Sequence, residues 1–111
     1  MKFVQEGEGQ QYEGKGHFNC WNMRKLSTEI DSQRLSISIS HFLPHGGAEM
    51  SSSPKERAYF ALSGSLLVKG KEEEYLLEPG DLIYIAPGEE RAVQVTGAEP
   101  ATILVIIGDV E

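Results

Sequence analysis

Apolar and polar residues alternate over short stretches of this chain, and the pattern predicts β-strands. Residues 35–40, Leu-Ser-Ile-Ser-Ile-Ser, alternate strictly, with the period of two that is typical of a half-buried strand. Further short apolar stretches lie between glycine and proline turns. They predict strands at residues 58–62, 66–68, 74–77, 82–85, 91–95 and 102–107. Because no segment has a convincing 3.6-residue period, the pattern predicts an all-β antiparallel sandwich or barrel.

The connections between these stretches are short and rich in turn residues. No gap is long enough for a crossover helix, which disfavours a parallel α/β fold. Pro79-Gly80 has the composition of a type II turn, in which glycine supplies the positive φ. Four glycines among polar neighbours within residues 1–16 predict a flexible, loosely held N-terminal arm. We predict that residues 17–111 form a single barrel domain.

Composition narrows the class of protein. A chain of 111 residues with 40% hydrophobic residues is typical of one folded domain. Ten basic residues against seventeen acidic ones give a net charge of −7, which disfavours binding to a phosphate backbone. Cys20 is the single cysteine, so an intramolecular disulfide is excluded, which fits a reducing compartment. With no apolar stretch long enough for a bilayer and no signal-peptide pattern, we expect a cytoplasmic protein without nucleic-acid or membrane partners.

Two segments share a turn–strand–turn pattern. Residues 57–68 read Arg-Ala-Tyr-Phe-Ala-Leu-Ser-Gly-Ser-Leu-Leu-Val, and residues 80–93 run from Gly-Asp through Pro-Gly to Arg-Ala-Val. These segments resemble the two motifs of the cupin superfamily, and the resemblance spans about residues 35–107. It implies an antiparallel jelly-roll β-barrel, the fold of a small single-domain cupin.

The resemblance also implies where a metal site would lie. Cupin metal sites take two histidines and one glutamate from the first motif and one histidine from the second. The corresponding positions here hold Ser51, Ser53, Arg57 and Arg91. Because arginine has no lone pair to offer a metal, we expect no metal and no other cofactor. An alternative alignment, with a bulge in the strand, would instead build a sparse metal site from Glu56, His45 and Glu49.

The same positions predict a binding pocket. If Arg57 keeps the family's inward direction, Tyr59 on its strand and Arg91 on the opposing strand also enter the barrel. With Ser51 and Ser53 at the mouth, these five residues form the predicted ligand-binding site. Two guanidinium forks match a carboxylate or phosphate, so the pattern predicts a small anionic metabolite as the ligand. The competing interpretation pairs both arginines with glutamates near the rim: Glu49, Glu56, Glu89 or Glu90.

A second hypothesis makes the chain an enzyme. The resemblance implies that a metal-free cupin can act as an isomerase or lyase, and a metalloenzyme with a non-standard ligand set is the other form of this hypothesis. His45 would serve as general acid or base, with Tyr59 or Tyr84 as a proton donor. The residues alone do not decide whether the chain is catalytic.

The outward face of the same strand predicts a partner. With Arg57 and Tyr59 inside, Ala58, Phe60 and Leu62 face outward, and an apolar row of this kind is usually covered. We therefore expect a homodimer. The alternatives are that the N-terminal segment covers the row, or that inside and outside are exchanged by one residue of register.

Overall fold

The computed structural model describes residues 1–108, and it shows an all-β chain within them. Alternating residue patterns and glycine turns build nine strands there, with no helix. The strands are β1 (Gln10–Tyr12), β2 (His17–Leu26), β3 (Leu35–Ser51), β4 (Glu56–Ser63), β5 (Leu66–Lys69), β6 (Glu74–Leu77), β7 (Leu82–Ile85), β8 (Arg91–Val95) and β9 (Ala101–Gly108). The predicted all-β architecture is confirmed. The last three residues of the predicted barrel domain lie outside the described residues.

The strands pair into a nearly closed antiparallel barrel. The pairing order is β6-β5-β8-β3-β9-β4-β7, and β2 pairs with both β1 and β3. Strand β3 joins the two halves of the barrel, because its first half pairs with β9 and its last residues pair with β8. Strands β6 and β7 are the two ends of the order and leave a seam between them.

The bend in β3 lies at Leu43-Pro44-His45-Gly46-Gly47. His45 has φ of 68°, a left-handed conformation. A Cβ atom at Gly46 would lie 2.3 Å from the carbonyl oxygen of Asn19, and one at Gly47 would lie 2.2 Å from that of Val93. Only glycine allows these close backbone approaches. The two glycines therefore let β3 take part in both halves of the barrel.

The core lies inside the barrel, and the alternation of β4 decides which side chains enter it. Tyr59 and Ala61 are buried in the core, whereas Ala58 and Phe60 are only half-buried on the outer face. The predicted direction of β4 is therefore correct, and the alternative with the two faces exchanged is wrong. The largest fully buried apolar side chains of the core are Phe42, Leu66 and Ile103.

The N-terminal part of the chain differs from the prediction. The sequence predicts a loosely held arm over residues 1–16, and the predicted strands include neither β1 nor β2. In the structure β1 pairs with β2, with Tyr12 opposite Asn22. Lys25 Nζ also donates hydrogen bonds to the carbonyl oxygens of Gln5 (3.0 Å) and Glu8 (2.6 Å). These contacts attach the arm to the barrel, where its last residues border the candidate site.

Candidate functional site

A cavity of about 530 Å³, which we call the barrel cavity, opens at the end of the barrel next to the N-terminal arm. Inward-facing side chains of β2, β3, β4, β8 and β9 form its wall, and Tyr12 and residues 14–16 border it. Phe42, Ile103 and Val105 supply apolar surface within it. Polar and charged side chains surround this apolar part, an arrangement that is typical of small-molecule sites.

Arg91 is held at the cavity wall by two partners. Its Nη1 donates to the carbonyl oxygen of Ser51 at 2.9 Å and to the Ser51 hydroxyl at 3.4 Å. Its Nε donates to the Tyr59 hydroxyl at 3.3 Å. Ser51 and Arg91 are register partners between β3 and β8, which explains why they meet. The partners are neutral oxygen atoms, so they orient the guanidinium without neutralising its charge.

Arg57 enters the same cavity from β4. It lies opposite Ile107 of β9 and Ile85 of β7, two strands that flank β4. Its Nε is buried and has no hydrogen-bond partner. Burial lowers the pKa of the Arg57 guanidinium, and the positive charge of Arg91 lowers it further. The physical cause is that two like charges share a partly desolvated space, which an anion would relieve.

The competing interpretation, with both arginines paired to glutamates, is not what the structure shows. Glu56 points to the outer face, where its Oε1 accepts a 2.7 Å hydrogen bond from the Tyr84 hydroxyl. Glu89 Oε1 accepts a hydrogen bond from the amide of Ala86. Among residues 1–108, no carboxylate lies within salt-bridge distance of Arg57 or Arg91. Within the described part of the chain, no carboxylate therefore balances the charge of either guanidinium group at the cavity.

Four of the five predicted site residues come together. Ser51, Arg57, Tyr59 and Arg91 all line the barrel cavity, whereas Ser53 does not. The Ser53 hydroxyl instead accepts a hydrogen bond from the amide of Lys55, and its carbonyl oxygen accepts one from the amide of Gly88. Strand β3 ends at Ser51, so Ser53 lies in the loop before β4, where counting along a motif does not give the side-chain direction.

Besides Tyr12 of β1, three charged or titratable residues of the cavity were missed from the sequence. Lys15 lies at the end of the arm, and His17 and Arg24 belong to β2. The Arg24 guanidinium lies 4.4 Å from the centre of the Tyr12 ring, so it also holds β1 against the cavity mouth. None of the three belongs to the motifs that resemble cupins. The pairing of β2 with β3 places His17 opposite Ala48 and Arg24 opposite Ser38, and a hydrogen bond from the Glu49 amide to the Gly16 carbonyl oxygen holds the segment that carries Lys15.

His17, not His45, is the histidine of this cavity. Its ring lies beside Phe42, with ring centres 6.3 Å apart, and its Nδ1 is buried without a hydrogen-bond partner. Burial lowers the pKa of His17 below its ordinary value; the hydrogen bond with Asn22 opposes this in part, and the charges of Arg91 and Arg57 add smaller lowering effects. His45 is exposed at the bend of β3 and does not line the cavity. The role predicted for His45 therefore has no geometric basis.

The cavity is strongly positive although the chain is acidic. Four of the ten lysine and arginine residues line it: Lys15, Arg24, Arg57 and Arg91. Among the described residues, Glu49 is the one carboxylate that lines it. In a chain of net charge −7, this concentration of cations produces a local field that attracts anions.

The donor set of the cavity does not fit a cupin metal. The positions where the family places ligands hold Ser51, Arg57 and Arg91 at the cavity, and guanidinium groups repel a cation. The alternative ligand set is not assembled, because Glu56 faces outward and His45 lies outside the cavity. Over residues 1–108, no three His, Cys, Asp or Glu side chains are grouped closely enough to hold a metal ion.

Comparisons with known proteins agree with the fold. The family model described as the cupin domain matches residues 38–107, so the chain belongs to the cupin family. A Mycobacterium tuberculosis protein named beta-D-galactosidase Rv1717 is 27% identical to it over 108 residues, which cover 96% of this chain and 93% of that protein. The predicted resemblance is therefore confirmed.

Two solved structures are similar to nearly the whole chain. The polyketide cyclase RemF from Streptomyces resistomycificus has a TM-score of 0.84 at 18% identity, covering 97% of this chain and 79% of that one. A Thermotoga maritima protein described as a predicted oxalate decarboxylase has a TM-score of 0.82 at 14% identity, covering 98% and 100%. At these identities the likeness establishes the jelly-roll fold and nothing about the ligand. Within residues 1–108, no helix has the length and apolar character needed to cross a membrane.

Proposed function

We propose that this cupin binds a small anionic metabolite, a carboxylate or a phosphate ester, in the barrel cavity. The observation that carries the proposal is the pair Arg57 and Arg91, two guanidinium groups at one cavity with no carboxylate at salt-bridge distance among residues 1–108. An oxyanion can accept hydrogen bonds from both forks at once. Lys15 and Arg24 add to the attraction from the arm side of the cavity.

The binding site needs no metal in this proposal. Arg57 has a buried Nε without a partner, so a ligand oxygen there would supply a missing hydrogen bond. Arg91 is already oriented by Ser51 and Tyr59, so little side-chain freedom would be lost on binding. The apolar surface of Phe42 and Ile103 would contact the carbon skeleton of the ligand.

A thermal-shift screen with citrate, gluconate and phosphate tests the proposal. We expect at least one of these anions to raise the melting temperature of the native chain. Charge-assisted hydrogen bonds contribute roughly 1.5–3 kcal/mol, so Arg57→Ala or Arg91→Ala should weaken binding by roughly ten- to a hundredfold. The control Lys71→Ala, in the exposed turn between β5 and β6, should respond like the native chain. An anion response that survives both arginine substitutions would overturn the proposal.

The second candidate function is that of a cupin enzyme acting on a galactoside. It is favoured by the similarity to the protein named beta-D-galactosidase, which extends over 96% of this chain. Most glycosidases use two carboxylates, and Glu49 is the one that lines the cavity among residues 1–108. Release of nitrophenol from an aryl β-D-galactoside, and its loss in Glu49→Gln, would establish this function in place of simple binding.

We also propose that the functional unit is a homodimer formed by the outer face of the sheet. Two apolar rows cross five strands in register on this face. One row is Met23, Ile39, Leu104, Phe60 and Leu82, and the next is Leu26, Ile37, Ile106, Ala58 and Tyr84. Neither row contains a charged residue. Two copies that each carry a net charge of −7 could approach here without placing like charges opposite each other.

A further inference from the structure

A second cavity of about 790 Å³, which we call the outer chamber, lies beside the barrel cavity. The loop between β2 and β3 and the loop between β3 and β4 form much of its wall. Its lining combines hydroxyl and amide side chains with four cationic ones. The neutral polar residues include Ser27, Thr28, Gln33, Ser36 and Ser53, and the cations are Arg24, Arg34, Lys55 and Arg57. Among the described residues, Glu29 is the one carboxylate in this lining.

The two cavities share one boundary. Arg24, Arg57 and Ile107 line both of them, so one cavity begins where the other ends. A group bound by Arg57 from the barrel side therefore has the outer chamber directly behind the guanidinium. The two cavities are therefore adjacent at the side chains of Arg24 and Arg57.

A line of three serines on the inner face of β3 spans the distance between the cavities, and its middle residue, Ser38, is buried and lines neither cavity. Ser36, Ser38 and Ser40 all face inward from β3, because their register partners on β9, among them Ile107 and Ile103, face inward. Ser40 lines the barrel cavity and Ser36 lines the outer chamber. Their Cα atoms are about 13 Å apart along an extended strand, too far for a single small anion to contact both.

The chamber end of this line is already arranged as a hydroxyl pair. The Ser36 hydroxyl lies 2.9 Å from the Thr28 hydroxyl and accepts a further hydrogen bond from the Thr28 amide at 3.4 Å. Such a pair can accept from, and donate to, a ligand hydroxyl group, whereas it offers nothing to an apolar group. The lining of the outer chamber therefore selects for a polyhydroxylated group and not for a hydrocarbon.

We infer that the ligand of this protein is an acidic glycoside: its carboxylate binds Arg57 and Arg91 in the barrel cavity, and a linked sugar unit occupies the outer chamber. The inference rests on the proposed anion-binding function and names its substrate class. The acid group supplies the charge that the arginines lack, and the sugar hydroxyls match the serine, threonine and glutamine side chains. The connection between the two units passes Arg24 and Arg57.

Isothermal titration calorimetry with three related compounds tests this inference. Gluconate carries the acid alone, lactobionate carries the same acid with a linked galactosyl unit, and lactose is a disaccharide without the acid. We expect lactobionate to bind about tenfold more tightly than gluconate, since it adds a few neutral hydrogen bonds, and lactose to bind far more weakly than both. Ser36→Val should remove most of the tenfold advantage. Ser63→Val, on β4 outside both cavities, is the matched control and should keep it.

The outcomes separate the inference from the function on which it rests. If lactobionate and gluconate bind equally, or if Ser36→Val and Ser63→Val behave alike, the glycoside inference is overturned and anion binding stands. If lactose binds as tightly as lactobionate, the acid group is irrelevant and the proposed anion-binding function is overturned. If none of the three compounds binds at millimolar concentration, the inference falls. Gluconate binding by Ser36→Val checks that this variant is folded.

Discussion

At the scale of single residues, Arg57 connects sequence, stability and function. Its position in β4 points it into the barrel, and its Nε is buried there without a hydrogen-bond partner. A partly buried charge without a partner destabilises the free protein. A bound anion would pair with the guanidinium and remove this unfavourable free energy. The lower stability of the free protein is therefore linked to its ability to bind an anion. This is the trade-off between stability and function that binding sites commonly show.

The substitution Arg57→Met tests this trade-off. Methionine has a similar length and no charge, so we expect the free variant to be more stable by about 1 kcal/mol, which raises the melting temperature by roughly 4 °C. The variant should also lose the stabilisation by anions. Calorimetric melting without and with gluconate measures both effects, and Lys71→Met in the exposed turn is the control. A lower melting temperature of the free Arg57→Met variant would mean that the guanidinium stabilises the fold instead.

His17 predicts a pH dependence with a defined sign. Burial and the two neighbouring arginines lower its pKa in the folded chain below the ordinary value of 6.5. As pH falls below about 6.5, the unfolded chain takes up a proton that the folded chain still excludes. His17 therefore lowers stability progressively as pH falls from about 6.5 toward the folded pKa, by up to about 1.4 kcal/mol per pH unit, and has no such effect above that range.

Chemical denaturation of His17→Gln between pH 7 and pH 5 measures this contribution. The variant should lose less stability over this range than the native chain, because glutamine does not titrate. His45→Gln, at the exposed bend of β3, is the matched control. Parallel stability profiles for the native chain and His17→Gln would show that the ring is not protected from protonation.

At the scale of secondary structure, alternation predicts that strand β3 exists but not which face enters the barrel. Residues 35–40 read as a half-buried strand, and they are one. Yet the serines face the interior, where Ser38 and Ser40 are buried, and the isoleucines face outward. The usual assignment of apolar residues to the core is reversed here, because the inner face meets a polar cavity and the outer face forms an apolar sheet surface. An alternating pattern fits either orientation, with the serines inside or with the isoleucines inside. The pairing of β3 with β9 decides which orientation occurs.

The candidate site shows the same limit. Arg57, Tyr59 and Arg91 follow from two local motifs with fixed spacing, and the structure places them together at the barrel cavity. His17 and Arg24 depend on the pairing of β2 with β3, between residues that are distant in the sequence. Ser53 was misplaced because β3 ends at Ser51 and Ser53 lies in the loop before β4. Local patterns thus predict the inner wall of the site, and long-range pairing determines its mouth.

At the scale of the whole molecule, the apolar surface on the outside of the sheet is a feature that anion binding does not account for. The interior of the barrel carries a row of serines and a positively charged cavity, while two apolar rows cross the outer face of β2, β3, β9, β4 and β7. Leu82 and Tyr84, at the edge of these rows, are 60% and 55% exposed. A contiguous apolar face of this width is unusual on a monomer. Covering it with a second copy stabilises the assembly by roughly 25 cal/mol for each Å² of apolar surface buried.

Sedimentation equilibrium tests whether a second copy covers this face. At tens of micromolar, on the order used for such measurements, we expect a mass of twice the 12.2 kDa chain. Leu82→Lys places a charge within one apolar row and should shift the equilibrium toward the monomer, because the lysine must be desolvated beside an apolar surface. Leu76→Lys, at an exposed leucine of β6 at the other end of the strand order, should remain dimeric. Trp21 lies on the same outer face, stacked on His41, so its fluorescence should report the dissociation of Leu82→Lys.

A native chain that sediments as a monomer, or equal dissociation of the two lysine variants, would contradict the assignment of this face. In that case the apolar rows would have to be explained by a different partner, while the anion site inside the barrel would be unaffected, since its residues point to the opposite face of the same strands.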